Sequence, residues 1–177
     1  YKIDVRGSEN LSETGGAIIC PNHFSWADPL LISVCIKRRL MFMAKHQAFK
    51  RKIFAYFLKA LGVYPIKRGE ADLAAFRTTL KALKENKIIV IFPEGTRIKG
   101  WELGKANAGA PMFSIKSGKP VIPVGISGNY NLFSKLTVSF GQPIEFHKFN
   151  DKKLSNDEYL KFGENIMDEI RRLIIRK

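Results

Sequence analysis

Short, uninterrupted apolar runs alternate along this chain with stretches whose apolar residues recur at helical spacing, and that alternation admits few architectures. Residues 17–20, 87–92 and 121–126 are apolar almost throughout and rich in β-branched side chains. Such runs read as strands covered on both faces. Residues 40–44 and 136–140 read as further strands. Between them lie helical patterns. Residues 29–37 form one. Leu73, Phe76, Leu80 and Leu83 mark one face of a second. Residues 106–116 form a third, ending at Gly118. Ser155-Asn156-Asp157-Glu158 has the form of a capping box and precedes Tyr159, Phe162, Ile166, Ile170 and Leu173 on a last helix. Strands interleaved with helices specify an α/β fold with a mixed, largely parallel sheet flanked by helices. The 177 residues carry no repeat, no low-complexity linker and no Pro/Gly-rich hinge, so the expectation is a single domain over 1–177.

Charge narrows the partners. Lys and Arg number 30 against 16 Asp and Glu, a net +14. That excess favours phosphate, nucleic acid or an anionic membrane surface. Ten of the cations fall between residues 37 and 68, a stretch without Asp or Glu. Within it, Phe49, Ile53, Phe57 and Leu61 recur every four residues. Residues 45–61 therefore read as a basic amphipathic helix lying in a membrane interface, with Lys45, Phe49, Lys50, Arg51, Lys52, Ile53, Phe54 and Phe57 as its contacts. The alternative is a core helix with a solvated basic face. No apolar run approaches the length that spans a bilayer, and no secretory signal pattern is present. The chain begins at Tyr1 rather than methionine, so a preceding native segment, which could be a membrane anchor, is expected. The localisation expected is the cytoplasmic face of the cell membrane, peripheral or monotopic. Cys20 and Cys35 are too few for a disulfide framework or a four-cysteine zinc site and read as reduced, mostly buried thiols. His23, His46 and His147 have no metal-ligand spacing, so no metal is expected.

Ligands of open α/β sheets gather at the carboxyl ends of strands, which directs attention to two turns. Residues 21–29 read Pro-Asn-His-Phe-Ser-Trp-Ala-Asp-Pro. Asp28 before Pro29 reads as a helix N-cap with proline at the first helical position. His23 lies five residues earlier. If the Asp28 carboxylate reaches back to one imidazole nitrogen, it fixes the tautomer and leaves the other nitrogen as a base. The plainer reading is a capping Asp28 and an ordinary loop histidine. Ser25 lacks the Gly-x-Ser-x-Gly elbow of a nucleophilic serine and reads as a turn-stabilising hydroxyl. Residues 92–97 read Phe-Pro-Glu-Gly-Thr-Arg. Pro93 ends the strand and Gly95 permits a sharp turn. Arg97 is suited to bidentate phosphate contact. Glu94 either orients a substrate hydroxyl or pairs with Arg97, and the plainer alternative is a surface ion pair.

Together, Asn22-His23-x-x-x-x-Asp28 and Phe92-Pro93-Glu94-Gly95-Thr96-Arg97 resemble the glycerolipid acyltransferase family, most nearly its bacterial lysophosphatidate-acylating members. The block Gly62-Val63-Tyr64-Pro65-Ile66-Lys67-Arg68-Gly69 and the strand Val121-Ile122-Pro123-Val124 agree in order and spacing. The resemblance implies transfer of an acyl group from an acyl-CoA or acyl carrier protein thioester to the sn-2 hydroxyl of lysophosphatidate. His23, oriented by Asp28, is then the general base. Arg68, Arg97 and Lys67 hold the acceptor phosphate, and Glu94, Gly95 and Thr96 shape its site. No cofactor is implied beyond the thioester co-substrate. The partners implied are the lipid acceptor, the acyl thioester, the anionic membrane surface and, as one of the two donors, acyl carrier protein. The same chemistry on glycerol-phosphate, a lysophospholipid or lyso-ornithine lipid is the nearest alternative. A basic nucleic-acid-binding module is a remote one, since it leaves both turns unexplained.

Overall fold

Burial on both faces puts the continuous apolar runs in the interior of one sheet. The computed structural model describes residues 2–45, 62–66, 73–98, 102–131, 133–149 and 152–175. Among them are seven strands: β1 (Lys2–Arg6), β2 (Ala17–Pro21), β3 (Leu40–Lys45), β4 (Val63–Ile66), β5 (Ile88–Val90), β6 (Val121–Gly128) and β7 (Lys135–Phe140). The helices are α1 (Asp28–Cys35), α2 (Leu73–Lys84), α3 (Gly109–Ser117) and α4 (Asn156–Ile175). The sheet order is β1-β7-β6-β2-β5-β3-β4. The pairs from β6 through β2, β5 and β3 to β4 are all parallel. β7 runs antiparallel to β6 and carries β1 parallel beside it. The chain is thus a single α/β domain with the mixed, largely parallel sheet that the sequence specified.

The two-residue period of a strand sorts side chains into two layers. From β2, Ile19 packs with Leu31 and Ile32 of α1 on one face. Ile18 and Cys20 point the other way, to Leu83 of α2, Ile115 of α3 and Ile166 and Met167 of α4. Each such fully buried side chain stabilises the fold by about 1.5–3 kcal/mol, so a one-residue slip of β2 would be heavily penalised. The capping box starts α4 as expected. Glu158 Oε2 accepts the Ser155 N–H at 2.8 Å, and Ser155 Oγ accepts the Glu158 N–H at 3.3 Å. Gly118 ends α3 at φ +67°, its N–H donated to the Ser114 carbonyl.

Several boundaries differ from expectation. The third helix begins at Gly109 rather than at 106, because Asn107 is held by a carbonyl of the second turn, described below. α1 stops at Cys35, and Ile36 is extended. β1 and β4 are edge strands that the apolar pattern did not mark. Lys45 belongs to β3 and not to the start of a helix. The remainder of the expected interface helix, with Phe49, Lys50, Arg51, Lys52, Ile53, Phe54 and Phe57, lies outside the described residues, as do Lys67 and Arg68. Arg38, one of the ten clustered cations, is a clamp. Its guanidinium donates to the carbonyls of Ser12, Gly15 and Asn86. No helix among the described residues is long and apolar enough to cross a membrane.

Candidate active site

Because β2 and β5 are parallel neighbours, both chemistry-bearing turns leave the same, carboxyl end of the sheet. The first is set by Asn22, which is buried. Its side chain continues the ladder where the β2 backbone leaves it. Nδ2 donates to the Ile126 carbonyl at 3.1 Å, and Oδ1 accepts the Ile126 N–H at 2.7 Å. The next residue, His23, is held by the second turn. Its N–H donates to Glu94 Oε2 at 2.8 Å. Its carbonyl accepts the Ile98 N–H at 2.9 Å. Its ring stacks on Phe92, centroids 4.0 Å apart.

His23 Nδ1 lies 2.8 Å from Asp28 Oδ2. An ionised carboxylate only accepts, so this contact assigns the proton to Nδ1 and leaves the Nε2 lone pair available in the neutral ring. The imidazole keeps 16% of its side-chain exposure, while the Asp28 side chain keeps none. A buried carboxylate is tolerated only when its lone pairs are met, and here they are. Oδ2 also accepts the N–H groups of Phe24 and Ser25, each at 2.8 Å. Oδ1 accepts the Tyr130 hydroxyl at 2.7 Å. Asp28 is therefore not the N-cap expected of it. It is the first residue of α1, after an N-cap Ala27 that makes no side-chain cap, and its carboxylate turns back over the loop. Ser25 Oγ accepts the Ala27 N–H at 3.1 Å, the turn role foreseen for it.

In the second turn Gly95 adopts φ +68°, a left-handed conformation that glycine reaches without penalty. Glu94 is buried, and both its oxygens are engaged by backbone. Oε2 takes the His23 N–H, and Oε1 takes that of Gly104 at 3.1 Å. Burial pushes the Glu94 carboxyl above the usual range, and the two N–H donors pull it only partly back. Of the two roles open to Glu94, the ion pair with Arg97 does not form. Glu94 instead braces one turn against the other. Behind it, the Pro93 carbonyl accepts both the N–H and Nδ2 of Asn107, at 2.9 and 3.0 Å. α4 backs that segment closely. A Cβ on Gly163 would come within 2.9 Å of Ala106 Cβ and 3.1 Å of the Asn107 carbonyl oxygen, and Glu164 Oε1 accepts the Ala106 N–H.

Thr96 and Arg97, by contrast, are exposed. The Arg97 guanidinium lies over the indole of Trp26, 3.5 Å from the ring centroid, a cation–π contact that joins the tips of the two turns. The structure thus brings His23, Asp28, Glu94, Gly95, Thr96 and Arg97 together. Sequence reading gave no role to Asn22, Phe92, Trp26, Asn107 or Tyr130. Tyr130 follows β6, the other neighbour of β2, so the strand-end rule that located both turns points to it as well.

Comparison with known proteins identifies the family. The acyltransferase family profile matches residues 2–127. The 1-acyl-sn-glycerol-3-phosphate acyltransferase of Borreliella burgdorferi is 30% identical over 181 residues, spanning 99% of this chain and 71% of that one. The enzyme of the same name from Bacillus subtilis is 30% identical over 148 residues, 80% of this chain and 73% of that one. Among solved structures, the 1-acyl-sn-glycerophosphate acyltransferase from Thermotoga maritima superposes with a TM-score of 0.73 at 25% identity, covering 97% of this chain and 70% of that one. The chain belongs to the acyltransferase family, and its two turns meet at the carboxyl end of the parallel strands β2 and β5.

Proposed function

We propose that the protein transfers a fatty acyl group from a thioester to the sn-2 hydroxyl of lysophosphatidate, with His23 as general base. The observation that carries the reading is the His23–Asp28 contact, locked by Glu94 to the turn that bears Arg97. The Nε2 lone pair takes the hydroxyl proton as the alcohol oxygen attacks the thioester carbonyl carbon. The C–S bond then breaks, and the imidazolium returns the proton to the departing thiolate. A positioned base of this kind contributes about 10²–10⁴ in rate. Arg97, splayed on Trp26, offers its fork to the acceptor phosphate, with Lys67 and Arg68 assigned to the same anion by the family motif.

The substrates are amphiphiles, and the surface beside the first turn suits a bilayer. Leu30 and Val34, four residues apart on α1, are exposed, 50% and 71% accessible, and so is Trp26, 77%, in the turn before the helix, which makes an apolar surface on the outer side of α1 and the turn that leads into it. The basic segment 37–68 supplies attraction to anionic headgroups, about 1 kcal/mol per cation near the surface. We place the enzyme peripherally on the cytoplasmic face of the cell membrane, receiving its acyl group from coenzyme A or acyl carrier protein.

The test is acyl transfer in detergent or vesicles from both thioesters. Lysophosphatidate competes there with glycerol 3-phosphate, a headgroup-bearing lysophospholipid and lyso-ornithine lipid. Phosphatidate is expected as the main product, and His23→Ala is expected to abolish turnover while acceptor binding persists. Preference for another acceptor, or near-normal kcat in His23→Ala, would overturn the acceptor or the base assignment respectively.

A further inference from the structure

The mechanism above uses one oxygen of Asp28 and leaves the other to Tyr130. We propose that Tyr130 is a positioning residue for acyl transfer. By donating its hydroxyl to Asp28 Oδ1, it turns Oδ2 toward His23 and moderates the negative charge felt by the imidazole. The inference rests on the His23–Asp28 base reading and goes beyond it.

Three observations converge. First, the contact is short, 2.7 Å, and its acceptor belongs to a carboxylate with no solvent exposure, so the hydroxyl, not bulk solvent, meets that oxygen. Second, the donors on Asp28 are divided unevenly. Oδ2 accepts the imidazole and two backbone N–H groups, and Tyr130 is the side chain that fixes Oδ1. A carboxylate held at both oxygens cannot rotate about its Cβ–Cγ bond, and that rotation would carry Oδ2 away from Nδ1. Third, Tyr130 is itself set by the fold. It follows β6, and its ring packs against Phe24 at 5.6 Å between centroids, so its donor is braced against the loop that presents His23.

The electrostatic consequence has a definite sign. A donor on the carboxylate stabilises its anion and lessens the pull on the imidazole proton. Its removal stabilises the imidazolium, and the free base then forms only at higher pH. Among the described residues the charged or titratable groups around the dyad are Tyr130 from the loop after β6, Glu94 from the loop after β5, and Arg97 above Trp26. Glu94 is occupied by backbone donors, and Arg97 lies at the exposed tip. Neither substitutes for the hydroxyl.

The experiment compares Tyr130→Phe, Tyr130→Leu and His23→Ala with the wild type, using the whole chain and lysophosphatidate as acceptor. The quantities read are kcat, KM and the pH dependence of kcat/KM. Tyr130→Phe retains the ring that packs on Phe24, so folding is preserved. Its acid limb is expected to move up by about half to one pH unit. That gives a three- to tenfold deficit below pH 7 that fades at high pH, with the acceptor KM unchanged. A wild-type profile in Tyr130→Phe, with Tyr130→Leu impaired, would reduce Tyr130 to packing and overturn the inference. So would a loss in Tyr130→Phe that is equal at every pH. If His23→Ala stays active, the base reading itself falls. If His23→Ala is dead while Tyr130→Phe is normal, only the role of Tyr130 is lost.

Discussion

The two turns that meet at the end of β2 and β5 are built to opposite specifications. In the turn of residues 21–29 the decisive group is buried, and its partners are counted out. One carboxylate receives an imidazole, two backbone N–H groups and a phenol. In the turn of residues 92–97 the first half is equally fixed, with Glu94 and the Pro93 carbonyl both saturated by backbone or amide donors. Its second half, Thr96 and Arg97, stands in solvent and rests on the face of an exposed tryptophan. On the proposed reading, proton transfer demands placement to a fraction of an ångström, and the burial of the dyad supplies it. Recognition of a lipid phosphate arriving from a surface requires an accessible cation. Glu94 links the two halves, because it accepts the His23 N–H from the turn that bears Arg97 and so, on the proposed reading, holds the base in register with the acceptor site.

That contrast predicts which kinetic constant each turn controls. The largest effect belongs to Asp28→Asn. The amide oxygen can keep the three donors on the Oδ2 side, and the amide nitrogen can donate to the Tyr130 oxygen, so the loop survives while the charge disappears. kcat is expected to fall about 10²–10⁴-fold with the acceptor KM nearly constant. Steady-state kinetics beside a circular dichroism melt checks both halves of the statement. A variant that lost only affinity would reverse the assignment of roles.

Next comes Glu94→Gln. Both Glu94 oxygens face N–H donors, so the amide must set an NH₂ against one of them, at a cost of about 1–3 kcal/mol. The variant is expected to melt lower and to lose roughly tenfold in kcat as His23 loosens. Its pH dependence has a worked sign. The folded Glu94 carboxyl lies above its ordinary value, so its contribution to stability is fullest below about pH 4.3 and declines as pH rises through the higher folded value. Chemical denaturation of both proteins across that window should show the gap between them narrowing with increasing pH. A constant gap would mean that Glu94 acts only as a hydrogen-bond acceptor.

Much of this arrangement was legible in the sequence, and the exceptions share causes. Interior strands such as residues 17–20 and 121–126 declare themselves because both faces are covered, so every position is apolar. β1 escaped notice because it is an edge strand whose Ile3 and Val5, each 39% accessible, are flanked by charges. β4 carries Pro65, which argues against a strand except at an edge, where β4 lies. The turns were found by the carboxyl-end rule, and the pairing of His23 with Asp28 by spacing. Two features were out of reach. Local sequence offers Asp28 as a cap and as a partner for His23, but not its remaining donors, the loop N–H groups and the long-range hydroxyl of Tyr130. Likewise the neighbouring Arg97 was one of two partners the sequence offered Glu94, the other a substrate hydroxyl. The true donors are His23 and Gly104, 71 residues before it and 10 after, and strand pairing alone brings the former into range.

The smallest effect sharpens the comparison at the exposed tip. Arg97→Lys keeps the charge but removes the planar fork and its stacking on Trp26, so what changes is geometry rather than net electrostatics. A cation–π contact at an exposed site is worth about 0.5–1 kcal/mol, and a lost bidentate phosphate contact adds a comparable amount. The acceptor KM is therefore expected to rise several-fold, with kcat within about twofold of wild type, because the His23–Asp28 geometry does not touch this side chain. Trp26→Ala should reproduce part of that rise through the lost platform, and combining it with Arg97→Lys should add little, since both remove the same stacking. Measured KM values for lysophosphatidate in the two single variants and the double variant decide the matter. Additive losses would mean that Trp26 serves the bilayer rather than Arg97. An unchanged KM in Arg97→Lys would mean that a point charge suffices and that the indole does not orient the cation.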